Sequence, residues 1–223
     1  LVLAIFVPNG LIAIYEVAWN LASLFSTFGT SISRTLFPEM SGISSVQGAN
    51  EEISDLLNVS LAYSGLFIIP GLLGSAIVGD VVLTIYGPGF KTGYYILLIL
   101  TVARLIHVYQ KQFVTVLDGV NRPDLTFRIN GTFIGVNLVL NLLLTWQYGW
   151  YGAAIATTAS TVLGLALGYY YASQIVDVDV PGTEIVKQAL AATVMAIVVR
   201  INRTIFGDSI PLVVALVCLG VGV

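Results

Sequence analysis

Long apolar blocks alternate with short stretches rich in glycine, proline and charge along most of this chain. A helix needs about 20 predominantly apolar residues to cross a bilayer. By that measure the pattern predicts spans near 12–36, 60–86, 93–117, 125–147, 150–173 and 186–206, with a partial span beginning near 210. Turns are expected at "GPGF" (87–90) and "NRP" (121–123). Pro38 should end the first full span, because the residue before a proline is pushed out of the helical region. Pro70, with Gly71 and Gly74, predicts a kink in the second. In the longest connection, "ANEEISDLLN" has the make-up of a short amphipathic helix on the membrane surface. Arg34, Arg122, Arg128 and Lys187 fall on one side of this arrangement, against Lys91 and Arg203, with Arg200 nearby, on the other. The positive-inside tendency then puts the 38–58 connection in the cytoplasm.

Within three spans the polar residues line up. Glu16, Asn20, Ser23, Thr27, Thr30 and Arg34 recur every three or four positions, and at 100° per residue they share an arc of about 80°. Arg104, His107, Lys111, Thr115 and Asp118 do the same in the third full span, with Gln112 outside the arc. Asn130, Asn137 and Asn141 repeat the design in the fourth. A charge at mid-span costs at least about 2.5–3.5 kcal/mol on insertion scales, and unpaired polar groups in hydrocarbon are also expensive. Helices with one wet face each avoid that cost by turning those faces to a shared water-filled cavity.

The expected substrate-path residues are therefore Arg104, His107, Lys111, Asp118, Glu16, Asn20, Arg34, Asn137 and Asn141. Some have a structural alternative. Asn137 and Asn141 could bond neighbouring helices, Glu16 and Arg34 could snorkel to the interface, and Asp118 is either a partner of the basic residues or a helix-end residue. The triplet Arg104, His107 and Lys111 stands apart because no acidic residue in the same two turns neutralises it. Asp80 reads as interfacial rather than as an ion site. Gly152, Ala156, Ser160, Gly164 and Gly168, spaced by four, read as a packing seam, and so do Gly131 and Gly135.

Composition agrees with this picture. Of 223 residues 57% are hydrophobic and only 9% charged, where soluble domains carry about 25% charge; mean hydropathy is +0.93. The fold class is an all-α integral membrane protein, a polytopic helix bundle in the cell (plasma) membrane. A net charge of −3 argues against a nucleic-acid partner. One cysteine, Cys218, and one histidine supply neither a disulfide nor a usual metal site. There is no G-x-S-x-G, P-loop or H-E-x-x-H, and "GPGFKTG" lacks Walker spacing. No catalytic residue, metal or cofactor is expected, so the protein reads as something other than an enzyme. "LVLAIFVPNG" lacks the basic residue of a signal peptide. The expected division is 1–8 as the end of a truncated span, 9–206 as the bundle and 207–223 as the start of a further truncated span, within a longer protein.

At 137–160, "NLVLNLLLTWQYGWYGAAIATTAS" resembles the N-x-x-x-N, then Y-G-x-x-G-A-A-x-A-T pattern in the C-terminal half of polysaccharide and lipid-linked oligosaccharide flippases. "IAIYEVAWNLASLFSTFGTSISRTLFPEMSGI" is similar to the helix that follows that family's mid-protein boundary, and "IYGPGFKTGYYILLIL" and "LDGVNRPDLTFRI" fit its next connections. The resemblance covers about 8–206. It implies the second half of a 12 to 14 span protein, two helical bundles around a cavity open alternately to either side, a lipid-linked glycan as cargo, and an N-terminal half of the same protein as partner. The family has no universal catalytic motif, so no residue is carried over by identity. The competing readings are a cation-coupled multidrug exporter, which should present cavity carboxylates rather than a basic cluster, and a membrane glycan polymerase or ligase, which should have large extramembrane loops.

Overall fold

The structure is a computed structural model that describes residues 3–43 and 50–206. Cys218, the span expected near 210 and residues 44–49 of the longest connection lie outside the described residues. Helices account for nearly all of what is described: α1 Leu3–Phe6, α2 Asn9–Ile43, α3 Asn50–Ser64, α4 Ile68–Thr84, α5 Tyr94–Gly119, α6 Pro123–Tyr148, α7 Trp150–Ala172 and α8 Gly182–Phe206. Five stretches are long and apolar enough to cross a membrane, namely 9–43, 50–84, 88–119, 123–148 and 150–172. This is a multi-pass membrane protein. The sixth predicted span coincides with α8, whose 25 residues include Glu184, Lys187, Arg200 and Arg203 and which is not among those five.

α5 is the axis of the bundle, with α2 packed along one side and α7 along another. Trp19 meets Arg104, Gly29 meets Val108 and Met40 meets Gly119, so α2 runs parallel to α5. Gly164 against Gln110 and Gly168 against Phe113 set α7 parallel as well. The remaining long helices return in the opposite sense. Apolar cores gather toward the two ends. One joins Ala18, Ala22, Leu83, Leu97, Leu100 and Ala154; the other joins Met40, Ile53, Leu57, Phe113, Val116 and Ala172. Lipid is as apolar as leucine, so close backbone approach and buried hydrogen bonds hold such helices together. Gln112 does this between the cores: it accepts from Ser33 at 2.8 Å and donates to the Gly29 carbonyl at 3.0 Å.

One proline expectation needs correction, and the other is located. α2 passes through Pro38 and ends at Ile43. Met40, 1% exposed, packs into the second core against Ile53 and Leu57, and that tertiary contact outweighs the hydrogen bond the proline removes. In the second span the break falls at 65–67, between α3 and α4, one turn before Pro70. A proline ring clashes with the carbonyl four residues earlier, here Leu66, while Pro70 itself sits in the first turn of α4, where no N–H partner is needed. The segment read as a surface helix is the start of α3, which continues directly into the membrane.

The seam of small residues divides. A Cβ on Gly152 would stand 1.9 Å from the Leu144 oxygen of α6, and one on Gly164 would stand 2.4 Å from Gln110. Gly131 and Gly135 have nothing within 4 Å, so the seam expected there is absent among the described residues. The α6–α7 hairpin turns on Gly149 alone, at φ 58° and ψ −139°, a conformation essentially restricted to glycine. Alanine at Gly149 should lower the thermal midpoint of the purified protein by several degrees, from about 1–3 kcal/mol of backbone strain.

Candidate functional site

Arg104, His107 and Lys111 lie along the middle of α5, whose 26 residues extend about 39 Å. Arg104 is about 15 Å from one end of the helix and Lys111 about 12 Å from the other. All three are half-buried. Their surroundings follow from helical geometry. Val108 and Gln112 point at α2, where they meet Gly29 and Ser33. Gln110 and Phe113 point at α7, where they meet Gly164 and Gly168. At 100° per residue the basic triplet falls in the sector between these two directions, so it faces the gap between α2 and α7, the candidate cleft.

The ion pairs formed among the described residues are Arg122–Asp124, Lys187–Glu184, Arg203–Asp80 and Lys91–Asp80. None involves the triplet. Arg104 instead stacks on the indole of Trp19, 4.0 Å from the ring centroid, and its Nε is buried without a hydrogen-bond partner. The two terminal amino groups meet no protein acceptor among the described residues. Three cationic or basic groups along the middle of α5, none of them in an ion pair among the described residues, make a candidate anion-binding set.

Trp19 also relates the two wet faces. It sits on α2 between the buried Ala18 and the exposed Asn20, so its contact with Arg104 turns the α2 stripe toward the same cleft as the α5 stripe. On that stripe Glu16, Asn20, Thr27 and Arg34 are exposed, with Ser23 and Thr30 half-buried. Thr115, by contrast, is 4% exposed and lies within the packing rather than on the cleft. Asp118 is half-buried near the end of α5, makes no ion pair with Lys111, and its carbonyl accepts the Asn121 N–H of the following turn at 3.2 Å. That is the geometry of a helix-end residue.

The asparagines of α6 divide in the same way. Asn130 is exposed. Asn141 donates to Asn137 at 3.0 Å, and Asn137 reaches Ser160 of α7 at 3.4 Å. They form the interhelical polar contact that was the structural alternative, at about the depth of Arg104.

Pairings that the sequence did not reveal lie elsewhere. Asp80 holds Arg203 through two contacts of 3.0 Å, with Lys91 at 3.5 Å, and Arg203 also donates to the Ile77 carbonyl. This tie fastens α4 to α8 at the bundle end that carries Lys91, opposite the end that carries Arg122. Gln110, 4% exposed, and Gln112, 1% exposed, are polar groups of the packing. Only the identity of the facing helix marks them as such, and helical spacing does not supply it. No cluster of three potential metal-ligating residues occurs among the described residues.

No known protein-family profile matches the chain. It is 36% identical over 201 residues to the probable flippase AglR of Haloferax volcanii, covering 89% of this chain and 42% of that protein. It is 27% identical over 207 residues to the probable low-salt glycan biosynthesis flippase Agl15 of the same organism, covering 92% and 44%. The chain thus spans less than half the length of these relatives. In fold it matches the lipid II flippase MurJ in an inward closed conformation, with a TM-score of 0.81 and 18% identity over 99% of this chain and 46% of that one. These similarities identify the chain as a relative of the polysaccharide and lipid-linked oligosaccharide flippases, with the fold of about one half of such a protein.

Proposed function

We propose that this chain is the second half of a flippase that carries a polyprenyl- or dolichyl-phosphate-linked glycan across the plasma membrane by alternating access, with a matching N-terminal half closing the cavity. The observation that carries this reading is the unneutralised basic triplet at mid-depth on α5, facing the cleft between α2 and α7. Its spacing suits an extended anion. Arg104 and Lys111 are about 10.5 Å apart along the helix axis, with His107 between them. An arginine grips phosphate oxygens bidentately and a lysine supplies a mobile point charge. Asn20, Thr27 and the other polar groups of the α2 face would solvate sugar hydroxyls, while the lipid tail stays in the bilayer. The two Haloferax volcanii relatives are each named a probable flippase, which supports transport rather than catalysis.

A drug exporter would bind organic cations on cavity carboxylates. In this cleft the acidic candidate is Glu16, on the exposed face of α2; the mid-depth groups are basic. The test reconstitutes the full-length protein in vesicles and offers a fluorescently labelled polyprenyl-diphosphate glycan or an ethidium-like cation. Movement of the glycan lipid and none of the cation is the expected result. Transport of the cation alone would overturn the proposal in favour of the exporter.

A further inference from the structure

We infer that Trp19 is a positioning residue of this anion site, holding Arg104 flat so that its terminal amino groups face the cleft; the inference rests on the function proposed above. Arg104 emerges from the middle of α5, too far from either helix end for its head group to snorkel to water. A mid-membrane guanidinium needs compensation for lost hydration. Among the described residues it has no carboxylate, and its Nε has no acceptor. The Trp19 ring, 4.0 Å from the guanidinium carbon, compensates it through the attraction of a cation for an aromatic face.

The indole is itself fixed. Ala18 and Ala22 flank it on the helix at zero exposure, bringing α2 close to α5, and Trp19 packs against the apolar core they build with Leu97 and Leu100. A guanidinium on such a platform has one face covered and its Nε shut away from water. Its two amino groups are left to donate in plane, the geometry that a phosphate accepts bidentately. Lys111, two turns along, has no comparable platform among the described residues and supplies charge without fixed direction. The site therefore has one oriented donor and one mobile one, and orientation comes from a residue that lies outside both polar stripes.

The test measures initial rates of polyprenyl-diphosphate glycan movement against glycan concentration for the full-length protein. Trp19→Leu keeps an apolar side chain, though a smaller one, and removes the aromatic face. It should raise the apparent KM about tenfold, as expected for a cation–π contact of about 1–2 kcal/mol, with a smaller change in maximal rate. Trp19→Phe should recover most of the loss, and it serves alone if the leucine variant folds poorly. In an Arg104→Ala background the Trp19 substitutions should change the KM less than twofold. An unchanged KM in the single variants, or an equal penalty in the absence of Arg104, makes Trp19 a packing residue and overturns the inference. If Arg104→Ala itself transports as wild type, the functional reading fails first, and the outcomes are thus distinct.

Discussion

Replacing Arg104 and Lys111 together with alanine should slow transport severely while leaving the protein at least as stable as wild type. Each basic group is assigned a charge-assisted contact with the cargo, worth about 1.5–3 kcal/mol. Losing both should slow glycan movement by a factor on the order of a hundred or more. Stability should move the other way or not at all. Neither residue takes part in an ion pair among the described residues, and a mid-span charge is a cost to insertion, about 2.5–3.5 kcal/mol each. Most damaging substitutions lower activity by lowering folded protein, so the separation of the two effects is the diagnostic. Thermal midpoints in detergent and transport rates at matched protein levels give both quantities. Wild-type transport by the double variant would remove the cationic site. The conservative Arg104→Lys should recover charge but not bidentate geometry, and so lie between.

Gly152→Ala should be the more destructive change for folding, although it adds a single methyl group. The new Cβ would stand 1.9 Å from the Leu144 oxygen, 2.2 Å from its carbonyl carbon and 2.7 Å from the Thr145 nitrogen. All three are backbone atoms of α6, so no side-chain rotation relieves the clash and the α6–α7 hairpin must open. Overpacking against side chains costs about 1–3 kcal/mol; against a fixed backbone the loss should exceed about 3 kcal/mol. Gly131→Ala is the matched control. It makes the same chemical change in α6 with nothing within 4 Å, and the better helix propensity of alanine should leave stability equal or slightly raised. Yield of folded, monodisperse protein and its thermal midpoint separate the two. Equal behaviour of the two variants would refute the close helix approach described here.

Both predictions depend on features that differ in legibility. The spans were readable because a bilayer demands long apolar blocks whatever surrounds them, and the helices fall close to the predicted positions. Alignment of Arg104, His107 and Lys111 on one face was readable for a similar reason, since 100° per residue is a property of the helix alone. Pro38 misled because its local effect is real but small beside the burial of Met40. Asn137 and Asn141 were ambiguous from spacing, and their bonds to each other and toward Ser160 depend on where α7 lies. Asp80 gave no sign in the sequence of its partner, since Arg203 lies more than a hundred positions away, and only the packing of α8 on α4 joins them.

What the sequence determined by itself is therefore everything governed by local periodicity and solvent. It fixes the membrane environment, the rough limits of five of the predicted spans, and the net basic character of one helix face. Which neighbour each face meets was decided by tertiary structure, because small residues and polar groups acquire meaning only from the atoms opposite them. Gly152 and Gly131 are the same residue in similar four-residue repeats, yet one is pressed against a backbone and the other against nothing. Trp19 reads as a bulky apolar residue beside a polar stripe until α5 is set alongside α2 and Arg104 comes to rest on its ring.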